Sequence, residues 1–581
     1  MTLSAQMMPP IKVTQTLKPT RVSEPRPGVF VVDFGQNFSG WCRLRVKGAA
    51  GTTVTLKHAE VLFENGLVNQ QNLRTARATD TYILKGEGVE VYEPRFTYHG
   101  FRYVQVEGYP GTLTPDDIEG RVVHTAIEPR GQFECSNELL NQIQRNAQWG
   151  YRTNWHSVPT DCPQRDERQG WMGDAHMTAN MGLYNFTAEA AYAKFLRDIA
   201  DAQGEDGRIP DTVPHVWGTN PGDPQWAGAY LFIAWDMYRH TGAKHLLEEH
   251  YAGMKRNVEM LRREAGDSHI LTRNNYGDWV AVVETPKDLI STGTYYLTVK
   301  VLADIAQVLG KRADEREYRA VCERIADAFN RRFWNADTGQ YGNGSQFSNI
   351  FPLYLGIAPE ERRQQVLEKV VQDITVNHKG HLSTGFIGTR YLLDTLTACG
   401  RADIAYLVAS KDTYPSWGYM VRMGATTIWE LWKYEVGPGM NSHNHPAFGL
   451  VSAWFYEALA GIQPVSSRGD WEHFTVRPHP VGDLRWAQAF VETLRGRVGV
   501  RWEKRADAFL LSVTVPANTT ATVYLPKLGI ANPVITEAEG KVWSHGVLNP
   551  RMLGVRSVRE EGDYMVLEVG SGDYHFKLHK V

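Results

Sequence analysis

Cysteine is scarce in this 581-residue chain: Cys42, Cys135, Cys162, Cys322 and Cys399 are scattered and odd in number. None pairs at a metal-ligand spacing, which argues against a disulfide scaffold or a cysteine metal site and for a reducing, cytoplasmic setting. Long hydrophobic runs are missing as well. No uninterrupted apolar stretch approaches the roughly 18 residues of a membrane helix, so no membrane association is expected. Residues Met1 to Pro10 lack a basic segment followed by an apolar core, so no signal peptide is expected. Neither sign of charge is in excess: 62 basic residues stand against 65 acidic ones. That balance favours neither nucleic acid nor an acidic membrane surface as a partner. No phosphate-cradling GxxxxGK and no dinucleotide fingerprint occurs, so no cofactor is expected. No fixed short period is visible, which argues against a repeat array.

What the chain does have is aromatic rings, 17 Trp and 26 Tyr among them. Each tryptophan is therefore either a core residue or a stacking platform for sugars. The length suggests three or four domains at about 150 residues each. Residues 1–125 read as an antiparallel β-sandwich. Thr53 to Val61 alternates apolar and polar side chains, and glycine and proline punctuate the runs at short intervals. Residues 126–135 read as a connector. From Ser136, a candidate helix start, the spacing becomes helical. Segments near 186–202, 226–241, 244–265, 289–310, 314–333, 359–373, 386–398, 402–408 and 445–460 make 136–464 an all-α domain, a toroid or solenoid. Residues 465–581 return to β, with Phe509 to Val515 and Thr522 to Leu525 flanking Pro516-Ala517-Asn518 as a predicted hairpin.

One stretch departs most from ordinary surface chemistry: Asp161-Cys162-Pro163-Gln164-Arg165-Asp166-Glu167-Arg168-Gln169-Gly170-Trp171-Met172-Gly173-Asp174. Four acids, two arginines, a tryptophan, a proline and two glycines suit a loop at the mouth of a helix; the plain alternative is a charged surface loop. Three further loops place an acid or histidine beside tryptophan: Asp211 to Gly218 continuing to Gln225-Trp226, Tyr276-Gly277-Asp278-Trp279, and Gly424 to Trp432 followed by Asn441-Ser442-His443-Asn444-His445-Pro446. Ring faces can cover the apolar face of a sugar while carboxylates accept bonds from its hydroxyls. Glycoside hydrolysis also needs two carboxyls, one protonated and one ionised. Glu167 and Glu430 are the natural pair, with an ion-paired or capping Glu430 as the alternative. His443 and His445 lack a third ligand, and Cys162 lacks an evident histidine partner beyond His156 and His176. Metal and thiol chemistry are therefore not expected.

At these residues the sequence resembles the bacterial α-L-rhamnosidases of glycoside hydrolase family 78, over nearly the whole chain. Asp161 to Arg168, with Gly170-Trp171 and Gly173-Asp174, is similar to that family's acid-bearing motif, and Gly424 to Glu430 to its second signature. Asp33-Phe34-Gly35-Gln36-Asn37 and Pro94 to Tyr103 are similar to its preceding β-sandwich. The resemblance implies an (α/α)6 barrel between β-sandwiches and inverting cleavage of terminal α-L-rhamnose, from flavonoid glycosides or oligosaccharides. It implies Glu167 as general acid and Glu430 as general base, with their carboxyls roughly 6.5–9.5 Å apart. Asp161, Arg165, Asp166, Asp174 and His445 would hold sugar hydroxyls, and Trp171, Trp226 and Trp279 would pack on the ring and its C6 methyl. Asp278 and Trp429 join the expected binding set. A small-molecule glycoside is the expected partner, and a homodimer stays open.

Two departures stand out. The chain starts near the family's penultimate β-sandwich, so further N-terminal β domains, including any calcium-dependent sugar-binding module, are expected to be missing. Gln225-Trp226-Ala227-Gly228-Ala229 lacks an acid that often follows this tryptophan, so the aglycone side is expected to differ. The rivals are another (α/α)6 glycosidase or phosphorylase, and a sugar-binding protein without catalysis. Aryl glycosides would separate the first, and turnover the second.

Overall fold

The computed structural model describes residues 5–216, 222–465, 469–538, 540–544, 546–549 and 552–580. A β-rich N-terminal region, a helical central domain and a β-rich C-terminal domain follow one another. Among the described residues no helix is long and apolar enough to cross a membrane.

In the first region, eight strands join one sheet. Ile11–Leu17, Ile118–Thr125, Val29–Val46, His99–Glu107, Thr53–Ala59 and Thr79–Ile83 lie side by side in that order, with Arg21–Arg26 and Glu90–Tyr92 also paired to Val29–Val46. The predicted alternation of Thr53–Ala59 is seen in its burial: Val54, Leu56 and His58 face inward. The long strand Val29–Val46 breaks register between Asp33 and Phe38. Gly35, at φ 73°, supplies the left-handed backbone this bulge requires. Gln36 and Asn37 on the bulge bind the helical domain, through Gln36 Nε2 to Thr426 O (2.8 Å) and Asn37 N to Thr426 Oγ1 (2.9 Å).

The central helices differ in character. Lys244–Ala265, Arg312–Phe333 and Glu360–Gln372 bury one stripe and expose charged faces, whereas Met172–Asn185 is buried at all 14 positions. That helix escapes a periodicity reading because a helix enclosed on every side has no polar face to mark its turn, while the ten-residue Gln346–Leu355, which carries Pro352, is short and exposes Tyr354. The first helix, Glu138–Arg152, is capped by Asn137, whose side chain accepts from Leu139 N. Ser136, the expected start, instead accepts a bond from Arg485 N of the C-terminal domain (2.8 Å).

Two further expectations are corrected at the C-terminal end. The connector 126–135 contains a strand, Gly131–Cys135, which pairs antiparallel with Trp486–Thr493 at the edge of the eight-stranded C-terminal sheet. The predicted hairpin does not form: Ala508–Val515 lies in that sheet, and Thr520–Pro526 lies in a separate five-stranded sheet. The turn at 516–519 therefore crosses between layers. Thr520–Pro526 also pairs in parallel with His473–Val476, so this domain is not wholly antiparallel.

Candidate active site

The acidic stretch is a loop followed by a helix. Its two ends are tied by Asp161 N to Gln169 O (3.0 Å) and by Gln169 N to Asp161 Oδ1 (2.7 Å). Met172 N donates to Asp211 O (2.9 Å), and the buried helix Met172–Asn185 begins there. Close approach demands glycine twice. A Cβ on Gly100 would stand 2.7 Å from Pro163 and 2.8 Å from Gln164 N, and one on Gly173 would stand 2.6 Å from the Trp226 indole. The first glycine lets the β region press against the acidic loop, and the second lets Trp226 lie over the helix start.

Nine of the twelve expected residues line a single cavity of about 310 Å³: Asp161, Arg165, Glu167, Trp171, Asp174, Trp226, Trp279, Glu430 and His445. Arg74, Tyr276, Phe386 and Asn441 complete its wall. Arg165 is the electrostatic centre. Its Nη2 lies 2.8 Å from Glu167 Oε2, 3.2 Å from Glu430 Oε2 and 3.6 Å from Asp161 Oδ2. The opposite oxygens are held separately. Trp171 Nε1 donates to Glu167 Oε1 (2.8 Å), and Asn441 Nδ2 donates to Glu430 Oε1 (3.1 Å). Arg74 Nη1 adds a bond to Glu167 Oε2 at 3.0 Å.

Burial, then the neighbouring Glu167 charge, pushes Asp161 up to about 7, against the pull of Arg165 and His445. Burial acts in the other direction on His445, but Asp174, Glu430 and Asp161 outweigh it and hold the imidazole at about 9. His445 Nε2 sits 3.0 Å from Asp174 Oδ1. At neutral pH the cavity thus combines a cationic His445, two guanidinium groups and a carboxyl, Asp161, poised to carry a proton. Tyr276 and Trp226 pack ring against ring at 4.5 Å, and Trp171 meets Tyr276 edge-on at 5.6 Å, giving the charged floor an aromatic wall.

Three expected residues lie elsewhere. Asp166 Oδ2 accepts from Thr75 N (3.2 Å) and Thr75 Oγ1 (2.5 Å), tying the acidic loop to the β region. Asp278 is buried and accepts from Gly385 N (2.7 Å) and Gly388 N (2.8 Å), so it caps the helix Phe386–Ala398. Burial pushes its carboxyl to about 7 against those N–H bonds. Trp429 stacks on His443 at 4.2 Å and borders a different, interdomain cavity. The loop residues Trp217 and Gly218 fall outside the described residues. Of the residues that sequence reasoning missed, Tyr276 and Asn441 lay within loops already singled out. Phe386 and Arg74 carried no local signal.

A larger cavity of about 840 Å³ opens at the other end of the same helices, among Arg239, Arg390, Asp394, Glu457 and Tyr564. It holds neither Glu167 nor Glu430. Among the described residues two groups have metal-like donor sets. Asp161, Cys162 and Glu167 place ligand atoms within 4.8 Å of one another, but Arg165 already supplies the positive charge, and burial, then Asp161, keeps the Cys162 thiol protonated. His58, Asp80 and His99 also converge, yet the two imidazoles stack at 4.2 Å and 25°, so their lone pairs run side by side rather than toward one point.

Comparison with known proteins identifies the family. Residues 128–459 match the bacterial alpha-L-rhamnosidase 6 hairpin glycosidase domain, residues 23–124 the concanavalin-like domain, and residues 461–537 the C-terminal domain. An alpha-L-rhamnosidase of Streptomyces avermitilis is 39% identical over 99% of this chain and 54% of its own length, and one from Formosa agariphila is 34% identical over 85% and 55%. The structure of alpha-L-rhamnosidase from Dictyoglumus thermophilum superposes with a TM-score of 0.94 at 44% identity, covering 99% of this chain and 64% of that one. The Streptomyces avermitilis enzyme complexed with L-rhamnose gives 0.92 at 38%, covering 99% and 54%. This chain thus spans about half the length of the two sequence relatives. Since the six-hairpin match alone takes in residues 128–459, more than half of the sequence, the chain belongs to the bacterial alpha-L-rhamnosidase family.

Proposed function

We propose that this chain is a glycoside hydrolase that removes terminal α-L-rhamnose, by inversion, within an (α/α)6 barrel. The observation that carries the reading is Arg165. One guanidinium nitrogen gathers Glu167 and Glu430, 263 residues apart in sequence, into a cavity walled by Trp171, Trp226, Trp279 and Phe386. Glu167 donates a proton to the glycosidic oxygen, and Glu430 activates a water on the opposite face of the sugar. Asp161, pushed up to about 7 by burial and then by the Glu167 charge, lies beside Glu167 on the acid side of the site. Arg165, Asp174 and cationic His445 hold hydroxyls, while the rings cover the apolar face and the C6 methyl of a 6-deoxy sugar. A polar group at that methyl would be left unpaired. The L-rhamnose complex of the Streptomyces avermitilis relative supports rhamnose as the sugar.

The geometry bears on stereochemistry as well. Since both Oε2 atoms touch Arg165 Nη2, at 2.8 and 3.2 Å, they are no farther apart than those contacts laid end to end. That upper bound is short of the ~6.5 Å lower end for inverting carboxyls and takes in the ~5–5.5 Å of retaining ones. Inversion rests on the family resemblance. The deciding experiment is hydrolysis of an aryl α-L-rhamnoside followed by proton NMR. First release of β-L-rhamnose, with a loss of ~10²-fold or more in Glu167→Gln, is expected. First release of α-L-rhamnose would establish retention, and cleavage of a different glycoside alone would reject the sugar.

A further inference from the structure

We infer that Arg74, a residue of the N-terminal β region, is a positioning residue for Glu167, and that the loop 70–76 is a working part of the active site. The inference rests on the proposed reading of Glu167 as the proton donor. Arg74 closes the short 3₁₀ turn Gln71–Leu73 with φ 58° and ψ −114°, a backbone conformation that L side chains seldom adopt. Such outliers persist only where the surroundings over-determine them, and they concentrate at functional sites.

The surroundings here do over-determine it. Leu73 is buried, anchoring the turn. Asn72 Nδ2 donates to Glu60 Oε2 (3.3 Å) and to Asn441 O (3.2 Å), the residue whose side chain holds Glu430. On the other side of Arg74, Thr75 is gripped by Asp166 through both its N–H and its hydroxyl. The turn is thus fastened on one flank to the loop that holds Glu430 and on the other to the acidic loop. Between these fastenings the Arg74 side chain reaches into the cavity and bonds Glu167 Oε2 at 3.0 Å.

With Trp171 on Oε1 and Arg165 on Oε2, Glu167 is held by three donors, two from its own acidic stretch and Arg74 from a separate segment. Arg74 is the one that comes from outside the helical domain, and about half of its side chain is exposed at the cavity mouth. Two consequences follow. Arg74 sets the direction in which the carboxyl points, and it stabilises the carboxylate that remains once the proton has left. It therefore matters most where the leaving group cannot depart without that proton. Asp166, present in the acidic motif but absent from the cavity wall, gains a role as the clamp on Arg74's loop.

The test compares kcat/KM for an alkyl α-L-rhamnoside, a poor leaving group, with that for a dinitrophenyl α-L-rhamnoside, which leaves unaided. General-acid assistance contributes about 10²–10⁴-fold, so losing its alignment in Arg74→Ala should cost roughly 10–10²-fold on the alkyl substrate and under about 3-fold on the dinitrophenyl one. Arg74→Lys should recover part of the alkyl activity. Asp166→Asn should show the same selectivity more weakly, and circular dichroism should remain that of wild type. Equal losses on both substrates, or none on either, would overturn the inference. Glu167→Gln is run alongside: if it too fails to discriminate the leaving groups, the proton-donor assignment falls first and takes this inference with it.

Discussion

The strands before residue 125 and those after residue 462 meet the helical domain at opposite ends, and only the first set reaches the cavity of Glu167 and Glu430. Arg74 lines that cavity, and among the described residues none beyond His445 does. Gln463, Arg477 and Tyr564 of the C-terminal domain instead close the larger cavity around Arg390 and Asp394, nearer the far ends of the same helices. The N-terminal contacts are polar and specific, such as Asn37 and Gln36 with Thr426, Arg102 with Gly424 O, and Glu60 with His443 N. On the C-terminal side Trp502, Phe133, Phe455 and Phe474 merge into one apolar core with the helices. The two β regions thus differ in kind. One shapes loops that carry chemistry, and the other supplies buried area.

The sharpest way to break that contrast is at the carboxylates. On an alkyl α-L-rhamnoside, Glu430→Gln and Glu167→Gln are each expected to lower kcat by at least ~10²-fold while rhamnose still binds by calorimetry. Retained activity in both would leave the first β region with no catalytic site to serve.

On the opposite side, Trp502 is fully buried and its Nε1 donates to Leu459 O at 2.6 Å. Trp502→Ala is expected to cost about 3–5 kcal/mol in urea unfolding. Its kcat per folded molecule should match wild type; a fall in kcat at full folding would show that the C-terminal core also tunes the site.

Glu60 gives an intermediate effect. Burial pushes its carboxyl to about 7, against bonds from Asn37 Nδ2 and His443 N and the attraction of Arg165. Glu60→Ala strips those donors of their acceptor, which costs roughly 1–3 kcal/mol, and loosens the loop that carries Asn441. Thermal denaturation should register the loss, and kcat should fall by about tenfold, an order-of-magnitude expectation for a misplaced catalytic group.

The smallest effect concerns pH. His445 has a folded pKa raised to about 9 by Asp174, Glu430 and Asp161 against burial, above the ordinary 6.5. The folded state therefore holds the proton more tightly than the unfolded chain, and the stabilisation is fully present below about pH 6.5 and fades as pH rises through 9. The stability gap between wild type and His445→Gln should accordingly shrink between those values. A gap that stays constant, or widens, would mean that the imidazole is not cationic in the folded protein.

Much of the fold could be read from the order of residues. Helices such as Lys244–Ala265 and Arg312–Phe333 repeat a buried stripe, and Thr53–Ala59 alternates, so local period reports them directly. The acidic loop and the Glu430 loop were legible because their chemistry does not suit an ordinary surface. Met172–Asn185 was not, since total burial erases periodicity. Nor was the pairing of Gly131–Cys135 with Trp486–Thr493, which joins segments some 350 residues apart through backbone groups that carry no side-chain signature.

The functional residues divide along the same line. The sequence alone determined which carboxylates, arginines and tryptophans were available and in which loops, because covalent order and side-chain chemistry are local properties. Only the tertiary structure decided that Asp278 caps a helix, that Trp429 stacks on His443 outside the cavity, that Asp166 clamps a neighbouring loop, and that Arg74 enters from another region to meet Glu167. Those roles depend on directions and distances between segments remote in sequence, and such distances are set by packing the whole core at once rather than by any short stretch of it.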